Sequence, residues 1–258
     1  MPLVLTQAIV LHAFDYLETS RVLRLLTREA GVQSVIAKGA RRTRGRVGTG
    51  VDLFAEGEAQ IYIKPTRDLH TLASFDVTSS RSALALEMSR FTAASAIAEL
   101  TLRVASDDSS PALFDIIAKT LDGLAVATGG DVVERALAGA WEAVAETGFT
   151  PAIDTCASCH AELPLDVPVA FSHPAGGALC EVCARRGVVT RRLPPAARDT
   201  LRDWIAGMPP ARLGAADARA HQRLLREFLR EHVGSDDRPM RAFGAWETEF
   251  GESVTRQP

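Results

Sequence analysis

The chain has 258 residues, of which 47% are hydrophobic and 24% are charged, and its formal net charge is −3. This composition is typical of globular proteins and excludes a chain that is disordered throughout. The small negative charge argues against a surface coated in positive charge, although a local basic stripe can still bind nucleic acid.

The N-terminal residues lack the pattern of a secretion signal. No basic segment precedes the apolar run at residues 1–14, and Gln7 and His12 interrupt that run. The chain also contains no apolar stretch of about 18 residues, the length that a membrane-spanning helix needs. We therefore expect a cytoplasmic protein.

The first 80 residues predict short strands separated by turns that contain glycine. We expect these strands at residues 3–14, 22–27, 32–38, 60–64 and 71–77. Short strands at this spacing favour a small β-barrel or a sandwich. Residues 39–50, rich in Arg, Thr and Gly, are expected to form a loop within it.

The pattern changes near residue 80, where we place a domain boundary. Residues 82–105 contain neither Pro nor Gly and predict a long helix, and Ser110 before Pro111 is typical of a helix N-terminus. Further helices are expected at residues 112–128, 131–147, 193–206 and 217–232. Strands followed by helices indicate an α+β fold, with a barrel at 1–80 and a helical domain at 81–258.

All four cysteines lie in one segment, as two C-x2-C pairs separated by twenty residues: Cys156 and Cys159, then Cys180 and Cys183. In a reducing compartment this spacing favours metal over disulfides, and four thiolates in a tetrahedron suit Zn²⁺. We expect a structural zinc module at residues 150–190, inserted in the helical domain, with Gly176 and Gly177 providing a tight turn. Four buried reduced cysteines are the alternative.

An enzymatic alternative comes from His160 and Glu162, which with the second cysteine pair are similar to the zinc deaminase signature. Leu179 stands where that signature has proline. A closed site of four thiolates also leaves no open coordination position for catalysis. His160 or His173 can each replace a thiolate, but both are expected to be ordinary loop residues.

A basic segment lies between Glu29 and Asp52, where the chain contains no acidic residue. Its cations are Lys38, Arg41, Arg42, Arg44 and Arg46. A supple loop of this kind can follow a phosphate backbone without reading sequence, and five contacts with a single strand predict a log–log salt slope of about −3.5. The alternative is a solvated loop that binds nothing.

Aromatic residues with a ring for stacking on bases are few in this half of the chain: Phe14, Tyr16, Phe54, Tyr62 and Phe75. We expect most of them in the core rather than at a stacking surface.

Two further basic clusters follow the cysteines. The first, Arg185, Arg186, Arg191 and Arg192, either extends a DNA path or is solvated surface. The second falls within a sector of about 60° on the predicted helix 217–232 and consists of Arg219, Arg223, Arg226 and Arg230. The opposite side, expected to be buried, carries Leu224, Leu225, Phe228 and Leu229. Such a stripe can hold an acidic peptide or DNA, or it belongs to a plain amphipathic helix in which Glu227 pairs with Arg223.

Catalytic motifs are absent from the sequence. It contains no P-loop, no dinucleotide-binding G-x-G-x-x-G after a strand and no G-x-S-x-G elbow. We therefore predict a binding or assembly protein rather than an enzyme.

Short motifs along most of the chain resemble the RecO family of bacterial recombination mediators. They are A-I-V-L at 8–11, Glu18 with S-R-V at 20–22, Gly31, A-K-G-A-R-R at 37–42, D-L at 68–69, E-L at 99–100, G-F-x-P at 148–151, the first cysteine pair, Phe171, and G-G-x-L-C-x-x-C at 176–183. The last motif is the most specific, followed by A-K-G-A-R-R.

This resemblance implies an N-terminal OB-fold, a helical C-terminal domain and a zinc module. It also implies binding to single- and double-stranded DNA, annealing of complementary strands, and help from the partner RecR in loading RecA where single-strand-binding protein covers the DNA. A protein of this kind is expected to associate with the nucleoid. The acidic C-terminal tail of single-strand-binding protein would meet one of the two clusters after the cysteines. The alternative is a zinc-ribbon adaptor between proteins, without DNA activity.

Overall fold

The computed structural model describes residues 2–16, 18–38, 51–64, 66–106, 108–210, 212–233 and 239–255. The chain divides into two compact units, Met1–Ala127 and Thr128–Pro258. Within the described ranges, no helix combines the length and the apolar character that crossing a membrane requires.

The first unit begins with a closed five-stranded barrel. Its strands are β1 (Leu3–Tyr16), β2 (Ser20–Thr27), β3 (Gly31–Ala37), β4 (Glu56–Tyr62) and β5 (Leu69–Ser79). They follow one another in the order β1-β2-β3-β5-β4, and β4 pairs with β1 to close the barrel. Only the β3–β5 pairing is parallel, which is the OB-type arrangement. The predicted barrel is therefore confirmed.

Side chains that alternate along the strands fill the interior of the barrel. The buried cluster consists of Ala8, Val10, Leu23, Leu25, Val35, Ala37, Val51, Ala55, Ala59, Ile61, Leu72 and Phe75. A register shift in β1 between Val10 and His12 changes which side chains face inward, as a β-bulge does. Ala13 therefore packs against the core, whereas His12, Phe14 and Tyr16 are exposed.

The helix predicted at 82–105 is wrong in its first turn and a half. A short 3₁₀ turn, Ser82–Ala85, comes first, Glu87 is extended, and α1 spans Met88–Val104. The cause is Arg81, whose backbone is left-handed (φ 44°) and whose guanidinium is buried. That guanidinium donates to the Phe54 carbonyl at 3.1 Å and forms ion pairs with Glu56 and Asp122 at 2.5 and 2.6 Å. These contacts hold the chain in a turn.

Helix α2 (Pro111–Val126) completes the first unit. Its predicted N-terminus is confirmed, because the Ser110 hydroxyl accepts a hydrogen bond from the Leu113 amide at 3.1 Å and Pro111 is the first helical residue. The domain boundary predicted near residue 80 stays a prediction: the barrel ends at Ser79, while α1 and α2 belong to the same compact unit as the barrel.

The second unit combines helices with a small sheet. Its elements are α3 (Asp131–Glu146), β6 (Val169–Ser172), β7 (Gly177–Leu179), α4 (Glu181–Ala184), β8 (Arg191–Leu193), α5 (Pro195–Ile205), α6 (Ala215–His232) and α7 (Arg241–Thr255). Helix α3 contacts α5 and α6, and α6 contacts α7. Trp141 of α3 meets Phe228 of α6 with ring centroids 5.4 Å apart. Helix α7, for which the sequence predicts no element, buries Phe243 and Trp246.

Candidate metal centre and nucleic-acid surface

The four cysteines of the predicted module converge on one point. Their sulfur atoms all lie within 4.8 Å of one another, and the Cys159 and Cys180 sulfurs are 3.8 Å apart. Tetrahedral zinc with bonds of about 2.3 Å separates its sulfur ligands by about 3.8 Å. The cluster can therefore hold a metal ion, and soft thiol donors at this spacing fit zinc.

The first cysteine pair sits on a tight turn. The Cys156 amide donates to the Ala161 carbonyl at 2.8 Å, and the Cys156 carbonyl accepts from the His160 amide at 2.9 Å. His160 takes a left-handed conformation (φ 61°), which reverses the chain directly after Cys159. The backbone thereby points both sulfurs to one side.

In the second pair, Cys180 comes directly before the short helix α4 and Cys183 lies within it. The Cys180 carbonyl accepts from the Ala184 amide at 2.8 Å, and the Cys183 carbonyl accepts from the Gly187 amide at 2.9 Å. Gly176 and Gly177 act differently from the prediction, because Gly176 ends the turn between β6 and β7 and Gly177 is the first residue of β7. Gly176 has a φ of 75°, and a Cβ on Gly177 would lie 2.3 Å from the Ala152 carbonyl oxygen. Only glycine lets these two chain segments approach so closely.

The thiols influence one another electrostatically. Burial acts to raise the pKa of Cys156, but hydrogen bonds from the Cys180, Cys159 and Ser158 backbone outweigh it and lower that pKa to about 6. For Cys183, a hydrogen bond with Ser158 acts to lower the pKa. The neighbouring thiols of Cys180 and Cys159 act in the opposite direction and outweigh it, so the pKa of Cys183 is raised. These surroundings favour the thiolate of Cys156 and disfavour that of Cys183, and a bound cation would favour both thiolates.

Neither histidine of the segment joins the cluster. His160 is exposed, and His173 is buried with its Nδ1 2.6 Å from the Thr190 hydroxyl. The potential ligand group consists of the four cysteines, so the arrangement is the closed one rather than that of the deaminase signature.

A polar network that the sequence does not reveal ties the module to α5. Arg198 is fully buried, and its guanidinium donates to the Pro164 carbonyl at 2.6 Å and to Asp154 at 3.4 Å. Arg202 forms a second ion pair with Asp154 at 2.6 Å. The hydrogen bond from Arg202 holds the pKa of Asp154 below its ordinary value. These partners are 44 and 48 positions apart, so no local pattern identifies them.

A second tie joins the module to α6. Arg191 of β8 donates to both carboxylate oxygens of Glu227, at 3.0 and 2.5 Å. The Nε2 of His173 lies 3.7 Å from the same carboxylate, and His232 contacts the His173 carbonyl oxygen at 2.7 Å. Burial lowers the pKa of His173. The predicted pairing of Glu227 with Arg223 is therefore wrong: Glu227 faces β8, where Arg191 lies.

The basic segment of the first unit is described only at its start. Lys38, directly after β3, is exposed. The other predicted contacts, Arg41, Arg42, Arg44 and Arg46, lie outside the described residues.

The arginines of the two clusters after the cysteines differ in their exposure and in their ion pairs. Arg185 and Arg186 are exposed, with only a loose 3.9 Å contact between Arg185 and Glu181, whereas Arg191 is held by Glu227. On α6, Leu224, Leu225, Phe228 and Leu229 are buried, which confirms the predicted inner face.

The basic stripe of α6 is also divided. Arg223 and Arg230 are exposed, Arg219 is half-buried, and Arg226 pairs with Glu247 of α7 at 2.8 Å. Burial raises the pKa of Glu247, and the nearby Arg226 opposes that shift. Half of the predicted stripe is thus engaged within the second unit.

The five aromatic residues considered above for base stacking differ in their exposure. Phe54 and Phe75 are buried, as expected, but Phe14, Tyr16 and Tyr62 are 46%, 43% and 39% exposed. The expectation that most of the five lie in the core is wrong, because the bulge in β1 turns Phe14 and Tyr16 outward.

Comparison with known proteins gives a consistent result over most of the chain. Two family models match, "Recombination protein O N terminal" at residues 1–81 and "Recombination protein O C terminal" at residues 86–241. A DNA repair protein RecO from Anaeromyxobacter dehalogenans (strain 2CP-C) is 35% identical over 233 residues, 88% of this chain and 90% of that protein. The protein of the same name from Rubrobacter xylanophilus is 31% identical over 234 residues, 90% of this chain and 92% of that protein.

The cysteine cluster predicts that Cys180→Ser loses the bound metal. Metal in small structural sites contributes on the order of 10 kcal/mol to local folding, so we also expect lower soluble yield and earlier melting. Metal content by plasma mass spectrometry and thermal melting measure both. Thr155→Ala, at an exposed position beside Cys156, is the control and should keep its metal. Full metal content with unchanged melting in Cys180→Ser would contradict the assignment.

The ion pair between Arg191 and Glu227 predicts a pH-dependent contribution to stability. Burial acts to raise the pKa of Glu227, but hydrogen bonds from Arg191 outweigh burial and leave that pKa below its ordinary value. We expect Glu227→Gln to lower the free energy of unfolding by about 1–3 kcal/mol at pH 7. Because the folded pKa is depressed, the difference should persist above the ordinary pKa of 4.5 and vanish as pH falls through the folded value.

Urea unfolding of both proteins between pH 7 and about pH 3, which extends below the ordinary pKa of 4.5, measures this difference. Glu231→Gln changes an exposed carboxylate on the same helix and should stay close to wild type throughout. A Glu227→Gln deficit that is the same at every pH would show that the charge of Glu227 is not responsible.

Proposed function

Because the chain belongs to the RecO family of DNA repair proteins, we propose that it acts as a recombination mediator without enzymatic activity. In this proposal it binds single- and double-stranded DNA, anneals complementary strands and, with RecR, helps load RecA onto DNA coated with single-strand-binding protein. Family matches over both parts of the chain, together with an OB-type barrel, carry the proposal. Cytoplasmic location and nucleoid association follow from such a role.

We propose that the ion of the cysteine cluster is structural Zn²⁺, held by Cys156, Cys159, Cys180 and Cys183. Four converging sulfur donors support this identity. Bound zinc would balance the charge of the thiolates and cross-link the two cysteine turns. The chain itself supplies all four ligands, which leaves no position for an activated water and agrees with a role outside catalysis.

We propose that DNA phosphates meet the barrel at Lys38, Arg41, Arg42, Arg44 and Arg46. Lys38 is exposed at the end of β3, and the loops of OB-folds are frequent sites of oligonucleotide binding. Arg185 and Arg186 are proposed as a second set of phosphate contacts, because both are exposed beside the metal cluster.

For the acidic tail of single-strand-binding protein, α6 is the proposed site. Arg223 and Arg230 are exposed there, while Arg226 is already paired with Glu247. The double variant Arg223→Ala/Arg230→Ala should bind a fluorescent tail peptide at least about tenfold more weakly, because hydrogen bonds to charged groups contribute about 1.5–3 kcal/mol each. Equal binding by the wild type and the variant would move this site away from α6.

A second candidate function is a zinc-ribbon adaptor between proteins. The observation that favours it is the apolar surface beside the second cysteine pair, where Val182, Val188 and Val189 are 62%, 65% and 43% exposed. An adaptor of this kind would bind a partner protein and leave DNA unbound.

Strand annealing separates the two functions. Complementary fluorescent oligonucleotides are coated with the cognate single-strand-binding protein, and the rate of duplex formation is followed at moderate salt. We expect the wild type to accelerate annealing and Arg41→Ala/Arg42→Ala to lose most of the acceleration, because two phosphate contacts are removed. Arg212→Ala/Arg241→Ala removes the same charge from exposed positions outside the proposed sites and serves as the control.

Each outcome of that experiment assigns the DNA contacts differently. If Arg41→Ala/Arg42→Ala still accelerates annealing, the mediator function stands and the main phosphate contacts are reassigned to Arg185 and Arg186. No acceleration by the wild type and no binding to bare strands would support the adaptor and refute the mediator.

A further inference from the structure

Three aromatic side chains stand on one outward face of β1. His12, Phe14 and Tyr16 occupy every second position, and successive side chains of a strand point to opposite faces. The Phe14 and Tyr16 side chains are 46% and 43% exposed. The rings of His12 and Phe14 are neighbours, with centroids 5.9 Å apart and planes inclined by 55°, so they do not cover each other face to face.

The neighbouring strand places two buried short side chains, Ser20 and Val22, and a half-buried cation, Arg24, beside these rings. Residues directly opposite one another share a face of the sheet, and here Arg24 pairs with His12, Val22 with Phe14 and Ser20 with Tyr16. The opposite side chains are thus one guanidinium, one small apolar group and one hydroxyl. The acidic residue between the two exposed rings, Asp15, is on the other face of the strand and pairs with Arg21 at 3.1 Å.

His12, Phe14 and Tyr16, called the strip below, lie on β1 beyond the end of its pairing with β4. The pairing of β1 with β4 ends at Ile9 and Glu56, whereas its pairing with β2 continues to Tyr16 and Ser20. The aromatic half of β1 therefore extends beyond the end of its pairing with β4, while β2 and β3 continue beside it. Since Arg21 of β2 pairs with Ala37 of β3, the exposed Lys38 lies at the end of the barrel where the strip ends.

We propose that His12, Phe14 and Tyr16 form a stacking surface for the bases of single-stranded DNA, with Arg24 and Lys38 beside them for the phosphates. Isolated exposed rings are common, but three at alternate positions of one strand, beside an arginine, form a row of π-faces with positive charge next to it. Aromatic rings in cationic grooves stack on bases of any sequence, and the bases must be unpaired to reach them. This inference rests on the proposed DNA-binding function and adds to it a preference for single strands.

Binding of labelled oligonucleotides tests the strip. The variant Phe14→Leu/Tyr16→Leu keeps apolar bulk at both positions and removes the π-faces. We expect about tenfold or greater loss of affinity for fluorescein-labelled oligo-dT in fluorescence anisotropy, and a change within about twofold for a duplex of the same length. The log–log salt slope should be unchanged, because stacking releases no counterions. Tyr62→Leu removes an exposed ring from β4, outside the strip, and is the matched control.

An abasic oligonucleotide supplies a second measurement that is independent of folding losses. Wild type should bind the abasic strand more weakly than oligo-dT, whereas Tyr16→Leu, at the last residue of β1, should discriminate less between them. If wild type binds oligo-dT and every variant binds it equally well, the strip is refuted while the proposed function stands. If wild type binds neither single strands nor duplex, the proposed function and the strip fail together.

Discussion

The middle of the second unit depends on the meeting of four thiols within 4.8 Å of one another. The segment that carries them, together with the adjoining β8, has three short strands and a helix of four residues. Its own buried apolar side chains are few, with Phe171 the largest. A small module of this kind needs a cross-link in place of a large core. Thiolates at this separation would repel one another, and a bound cation would replace that repulsion with attraction.

Two polar ties then fix the module to the helices of the same unit. Asp154 forms ion pairs with Arg198 and Arg202 of α5, and Glu227 of α6 forms an ion pair with Arg191 of β8. Because Arg191 is used in this way, it is not available to a ligand, whereas Arg185 and Arg186 remain at the surface. Arginines that are exposed and an arginine that is held in an ion pair therefore lie within a few residues of one another.

The barrel of the first unit separates two kinds of DNA contact in the proposed function. The cationic segment that begins at Lys38 suits phosphates, and the rings of Phe14 and Tyr16 suit unpaired bases. The exposure of the rings depends on the β-bulge in β1, since it turns Phe14 and Tyr16 outward while Ala13 packs against the core. Annealing needs both properties, because strands must be held by their backbones while their bases stay accessible.

The sequence by itself determined the strands of the barrel, the inner face of α6 and the four clustered cysteines, because each depends on local periodicity or short spacing. Only the tertiary structure decided which charges are engaged: Arg191 with Glu227 and Arg226 with Glu247 are 36 and 21 positions apart. It also decided that a buried Arg81 delays α1 and that Phe14 is exposed while Phe75 is not. Such outcomes depend on strand register and on partners distant in sequence, and a pattern of neighbouring residues contains neither.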